Sequence, residues 1–127
     1  MEVKTEAEYQ VIFFETDNGE CPTEAYINSL NNKLSAKIYR ILDMIEKNGP
    51  ELREPYSKHL DDGIFEIRAR QAKNLARVLY FFYAGKCVMA THGFTKKTQK
   101  TPPAEIDKAK EYRKEFLERE ANKNENA

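Results

Sequence analysis

Residues 64–94 contain three successive apolar-rich runs, separated by breaks too short to hold a helix. Ile64–Arg70 (IFEIRAR) alternates, placing Phe65, Ile67 and Ala69 on one face and Glu66, Arg68 and Arg70 on the other. Leu75–Tyr83 (LARVLYFFY) and Cys87–Phe94 (CVMATHGF) are rich in β-branched and aromatic residues, with Gly85 between them. Strands this close in sequence pair most simply as an antiparallel meander. A chain with this centre is built on a sheet, and its other segments must cover that sheet.

The turns set an expected register. With Gln71–Asn74 as a four-residue loop, Arg70 faces Leu75 and Arg68 faces Arg77. With Ala84–Gly85 as a two-residue turn, Tyr83 faces Lys86 and Arg77 faces His92. Arg68, Arg77 and His92 then form a row across three strands, and Leu79, Phe81, Val88 and Ala90 continue the same face. Two arginines directly opposite repel each other. A carboxylate such as Glu66 would neutralise them, and so would an anionic ligand, because the guanidinium fork suits phosphate oxygens. Both readings are open at this point.

Before the meander, Tyr9–Glu15 (YQVIFFE) is an almost continuously apolar strand, expected to be covered on both faces. Pro22 suits the first turn of a helix running to Leu30. A second helix, from about Lys33 to Asn48, carries Leu34, Ile38, Ile41, Leu42 and Ile45 at helical spacing and stops at Gly49–Pro50. Residues 51–58 (ELREPYSK) read as a linker. After the meander, TKKTQKTPP forms a basic loop, with Thr101 as the expected cap of a last helix and Glu105 near its positive end. Ile106, Ala109, Tyr112 and Phe116 form that helix's inner stripe, and residues 121–127 form a polar, fraying tail. The expected order is β-α-α-β-β-β-α. This is an α+β fold, a single domain over residues 1–120, with a curved, mostly antiparallel sheet packed on helices.

At 127 residues the chain supports one core. Its formal charge is zero but uneven: residues 1–50 carry 5 basic and 9 acidic side chains, residues 51–100 carry 10 and 5, and residues 101–127 carry 6 and 7. A polyanion would therefore meet the centre of the chain. Cys21 and Cys87 lack any paired motif spacing and read as reduced and unlinked. No signal peptide or membrane span is expected, so the cytoplasm is the expected location. The two histidines lack partners at ligand spacing, so no metal or other cofactor is expected.

The pattern of strand, helical hairpin, G-I-F-E-I-R, A-R-V-L-Y and H-G-F-T-K-K-T-Q-K-T-P resembles the RelE/ParE toxin superfamily over residues 8–118. Its H-G-F-x-K-K-T motif is similar to the HigB-like branch, which includes phage-derived host-inhibition proteins. The resemblance implies the toxin of a type II toxin–antitoxin pair, acting as a ribosome-dependent mRNA endoribonuclease. No metal is used: a ribose 2′-hydroxyl attacks the adjacent phosphate. The implied partners are the ribosome with its mRNA and a helix-turn-helix antitoxin that forms a hetero-oligomer with the toxin.

The resemblance places Arg77 at the scissile phosphate, Arg68 on the neighbouring strand, and Lys96 and Lys97 as the basic pair after the last strand. Lys58 and His59 match positions that assist proton transfer, and Phe94 is placed to stack on a base. Arg70, Lys73 and Lys100 are candidate contacts to RNA or the ribosome. His92, titrating near neutral pH beside Arg77, is the expected general base. Two alternatives are a ParE-like inhibitor of DNA gyrase and a non-catalytic module binding nucleic acid or protein.

Overall fold

The computed structural model describes residues 8–125. Strand β1 (Gln10–Phe13) leads into helices α1 (Pro22–Asn28) and α2 (Asn32–Asn48). A 3-10 turn follows, then β2 (Ser57–Asp61), β3 (Ile64–Gln71), β4 (Asn74–Tyr83), β5 (Cys87–Thr95) and helix α3 (Pro103–Glu125). The five strands form one sheet in the order β1-β5-β4-β3-β2. Only β1 runs parallel to its neighbour. The architecture is the expected α+β fold, a mostly antiparallel sheet packed on helices.

Alternation along the strands divides the core in two. Ile67, Ala69, Ala76, Val78, Tyr80, Val88 and Ala90 meet Ile27 of α1 and Leu34, Ile38, Ile41 and Ile45 of α2. On the opposite face Ile64, Leu79, Phe81, Met89 and Phe94 meet Phe14 and α3 residues Ala109 and Phe116. The helix ends follow local chemistry. Pro22 opens α1, and the Asn31 side chain accepts from Leu34 N at 2.9 Å to cap α2. Gly49 closes α2 at φ +55°, a conformation that suits glycine.

Five expectations are corrected. A strand, β2, lies within and just after the expected linker, pairing Lys58 with Glu66 and His59 with Phe65. Its side chains are largely polar, so it lacks an apolar alternation. The Asp62–Gly63 turn, with φ of 49° and 78°, was its visible signal. β1 is an edge strand that leaves Ile12 exposed, not a strand covered on both faces. The Thr101 hydroxyl binds Glu66, so it does not cap α3, whose first free amides meet Pro102 O. Helix α3 runs on to Glu125, through most of the expected tail; residues 126–127 lie outside the described residues.

The fifth correction concerns register. Arg68 does face Arg77, and Arg70 faces Leu75. The β4–β5 turn is one residue longer than expected, so Tyr83 faces Cys87. A bulge at Thr91 adds a second one-residue shift, and Arg77 comes to face Phe94 while Leu79 faces His92. Two such shifts preserve the face, so His92 remains on the arginine side, one pair along. Between turn and bulge the parity is reversed, and Val88 and Ala90 point to the α1–α2 side instead.

Helix α3 crosses the arginine-bearing face. Lys110 reaches Asp61 and Arg113 reaches Asp62 at the β2–β3 turn, while Arg119 reaches Asp17 beyond β1. Helix α1 is held to the other face by Tyr26, whose hydroxyl donates to Phe94 O at 2.9 Å. Its ring packs against Gly93, where an added Cβ would sit 2.1 Å from the ring. Replacing Gly93 by alanine is therefore expected to destabilise the protein by about 2 kcal/mol, as overpacking does. Urea unfolding should show a lower midpoint at unchanged slope.

Candidate functional site

The centre of the α3-side face is a buried charge cluster. Because β3 alternates, Glu66 and Arg68 share this face, and the β3–β4 register sets Arg77 opposite Arg68. Glu66 and Arg77 are both fully buried. Arg68 Nε donates to Glu66 Oε1 at 2.6 Å, and Arg77 Nη1 lies 3.9 Å from Glu66 Oε2. Thr101 Oγ1 donates to the same Oε2 at 2.6 Å. One carboxylate thus serves two guanidinium groups and a hydroxyl.

The 96–102 loop closes over the cluster. Arg68 Nη2 donates to Gln99 O at 2.8 Å, and Arg77 Nη2 donates to Thr98 O. Phe94, in the row with Arg68 and Arg77, places its ring 5.8 Å from the Arg77 guanidinium carbon. Arg77 Nε and Nη1 still have no hydrogen-bond partner among the described residues. Burial lowers the Arg77 pKa from its ordinary value, and Glu66 opposes that shift. Arg77 therefore keeps unused donor capacity at Nε and Nη1, both of them buried.

His92 sits one pair further along the same face, only 2% exposed. Its Nε2 lies 3.1 Å from Glu105 Oε1 on α3, and its Nδ1 lies 3.1 Å from Thr91 Oγ1. Thr91 Oγ1 itself donates to Leu79 O at 3.2 Å, so both His92 ring nitrogens face protein oxygens and neither is open to solvent. Burial lowers the His92 pKa; Glu105 opposes the shift and Lys108 adds slightly to it. Burial causes the lowering, and Arg77, which faces Phe94, does not contribute to it. The expected base is held away from solvent.

The other predicted residues are dispersed. Lys58 shares the cluster's face through its pairing with Glu66, and it is exposed. His59 lies on the other face, stacked edge-on to Phe65 at 5.0 Å, and accepts from Gly63 N. Arg70 is the last residue but one of β3, Lys73 tips the β3–β4 turn, and Lys96, Lys97 and Lys100 ride the loop over the cluster; all five are exposed. Thr101, Glu105 and the two loop carbonyls were absent from the sequence-based site. Glu66, two residues before Arg68 on an alternating strand, was the legible one.

Residues 25–114 match the phage-derived Gp49-like protein family (DUF891). The chain belongs to that family. It is a RelE-toxin-like family, so this Gp49-like chain is a toxin-like module. No curated protein matches the chain. Among the described residues no helix is long and apolar enough to cross a membrane.

Two stability effects follow from the cluster of this Gp49-like domain. Replacing Glu66 by glutamine leaves the fully buried Arg77 and the half-buried Arg68 without their counter-charge and is expected to cost about 3 kcal/mol in chemical denaturation. His92 has a folded pKa below its ordinary 6.5, so the unfolded chain takes up that proton first as pH falls. Stability is full above that value, declines as pH drops through it, and levels off below the folded pKa. His92→Gln should flatten this part of the stability–pH curve.

Proposed function

We propose that this protein is the toxin of a type II toxin–antitoxin pair, close to the HigB-like branch, and that it cuts mRNA on the ribosome. The observation that carries the proposal is the facing Arg68–Arg77 pair, with Arg77 retaining two unpartnered N–H groups under a basic loop. Family membership gives this arrangement a toxin context. An incoming phosphate would take the places of Thr98 O and Gln99 O on the two guanidinium groups, and a phosphate offers more acceptors than the carbonyls it displaces.

Cleavage through a 2′-hydroxyl forms a bond from the 2′ oxygen to phosphorus and breaks the bond from phosphorus to the 5′ oxygen, with the 2′ proton passing to water, and it concentrates negative charge on the phosphate on the way. Arg68 and Arg77 stabilise that charge. Lys96 supports the departing 5′ oxygen, Lys58 and Lys97 flank the site, and Phe94 backs the guanidinium pair. His92, with both ring nitrogens engaged, takes a positioning role here: through Glu105 it holds the start of α3, and with it the end of the loop. The cytoplasm, the ribosome and a neutralising antitoxin belong to the same proposal.

The test is induced expression in a bacterium, with mapping of mRNA 5′ ends. New ends in phase with codons, absent from untranslated RNA, are expected. On programmed ribosomes Arg68→Ala should lower the cleavage rate at least about 100-fold. His92→Gln, which keeps a donor toward Glu105, should lose less than about tenfold. DNA breaks without new RNA ends would replace the proposal with gyrase inhibition.

A further inference from the structure

A second feature adjoins the charge cluster on the opposite side of Arg68. A groove of about 550 Å³ runs between α2, the end of β3 and the segment before β2. That volume falls within the range of roughly 300–1,000 Å³ typical of ligand clefts. Lys37 and Arg40 of α2 and Arg70 of β3 line it, and all three are exposed. None of them forms a salt bridge among the described residues. Glu54 is the single acidic side chain in the lining, and Ile41, Ala69 and Leu75 give the groove an apolar floor.

Tyr56 supplies an aromatic face. Its side chain is 41% exposed, and its backbone is fixed by a bond from Arg68 N to Tyr56 O at 3.1 Å. Lys37 Nζ donates to Arg70 O at 2.6 Å, which ties α2 to the strand end and sets the groove's width. Arg68 and Gln99 line the groove as well, and Arg68 Nη2 donates to Gln99 O. The groove is therefore continuous with the arginine pair, and Arg68 belongs to both.

We infer that this groove binds single-stranded RNA beside the phosphate held by Arg68 and Arg77, with Tyr56 stacking on a base and Lys37, Arg40 and Arg70 meeting the flanking phosphates. Unpaired cations along a trough, an exposed aromatic ring and an apolar floor are the combination that single strands use. A duplex would offer no free base to Tyr56. The choice of RNA over DNA rests on the cleavage proposed above; the groove chemistry does not make that choice.

The test uses the full chain and a labelled, 2′-O-methylated single-stranded oligoribonucleotide, which binds but cannot be cut. Fluorescence anisotropy is followed between about 50 and about 200 mM salt. The Lys37→Ala/Arg40→Ala double variant should bind at least about tenfold more weakly, with a log–log salt slope shallower by about 1.4. Tyr56→Ala should weaken binding about tenfold with the slope unchanged. Circular dichroism should show both variants folded, since these side chains are exposed. Affinities within twofold of wild type for both variants overturn the inference. So does an acidic peptide that binds in an Arg40-dependent manner while the RNA does not bind; the groove would then serve a protein partner.

Cleavage on ribosomes separates this inference from the function it builds on. If wild type cuts mRNA and both groove variants bind and cut like wild type, the groove assignment fails and the nuclease stands. If wild type cuts nothing but RNA binding follows the expected pattern, the nuclease fails and the groove stands. With both correct, the variants raise KM and leave kcat close to wild type.

Discussion

The Glu66 carboxylate is the contact on which the rest of this face depends. Two guanidinium groups directly across a strand pair repel, and full burial of one of them would be unsustainable without a counter-charge. Glu66, two residues before Arg68 on the same face of β3, supplies that charge and accepts the Thr101 hydroxyl on the oxygen that faces Arg77. The same carboxylate thus neutralises the arginines and anchors the end of the basic loop. Fold stability and the anion-binding potential of the site meet in one residue.

A buried cluster of this kind accommodates the two readings that the sequence left open. The carboxylate answers the repulsion, so the arginine pair can stand as a structural element. The unpartnered Nε and Nη1 of Arg77, and the use of backbone carbonyls as lids, leave capacity for an additional anion. Backbone carbonyls are weak substitutes for phosphate oxygens on a guanidinium. The loop carrying Lys96, Lys97 and Lys100 is thus the element whose displacement the proposed chemistry requires.

Charge is arranged to match. The chain is neutral overall, yet its central segment is basic, and Lys37 and Arg40 add to that segment from α2 across the groove. Acidic residues instead tie down α3, through Asp61, Asp62 and Asp17. A neutral total is therefore compatible with a local surface that attracts a polyanion.

Sequence alone determined the α+β class, the three central strands, the α2 stripe and the Arg68–Arg77 juxtaposition. These rest on local periodicity and on a short turn whose geometry has few solutions. Edge strand β2 was hidden because polar edge strands carry no apolar alternation, and only Asp62–Gly63 marked it. The position of His92 depended on a longer turn and a bulge, two features with no compositional signature in this segment. Its burial against Glu105, the binding of Thr101 to Glu66 and the joining of Lys37, Arg40 and Tyr56 to Arg70 all span distant parts of the chain. Only tertiary structure decided these, because contacts between distant segments are set by how the helices and loop pack on the sheet, and no local pattern encodes that.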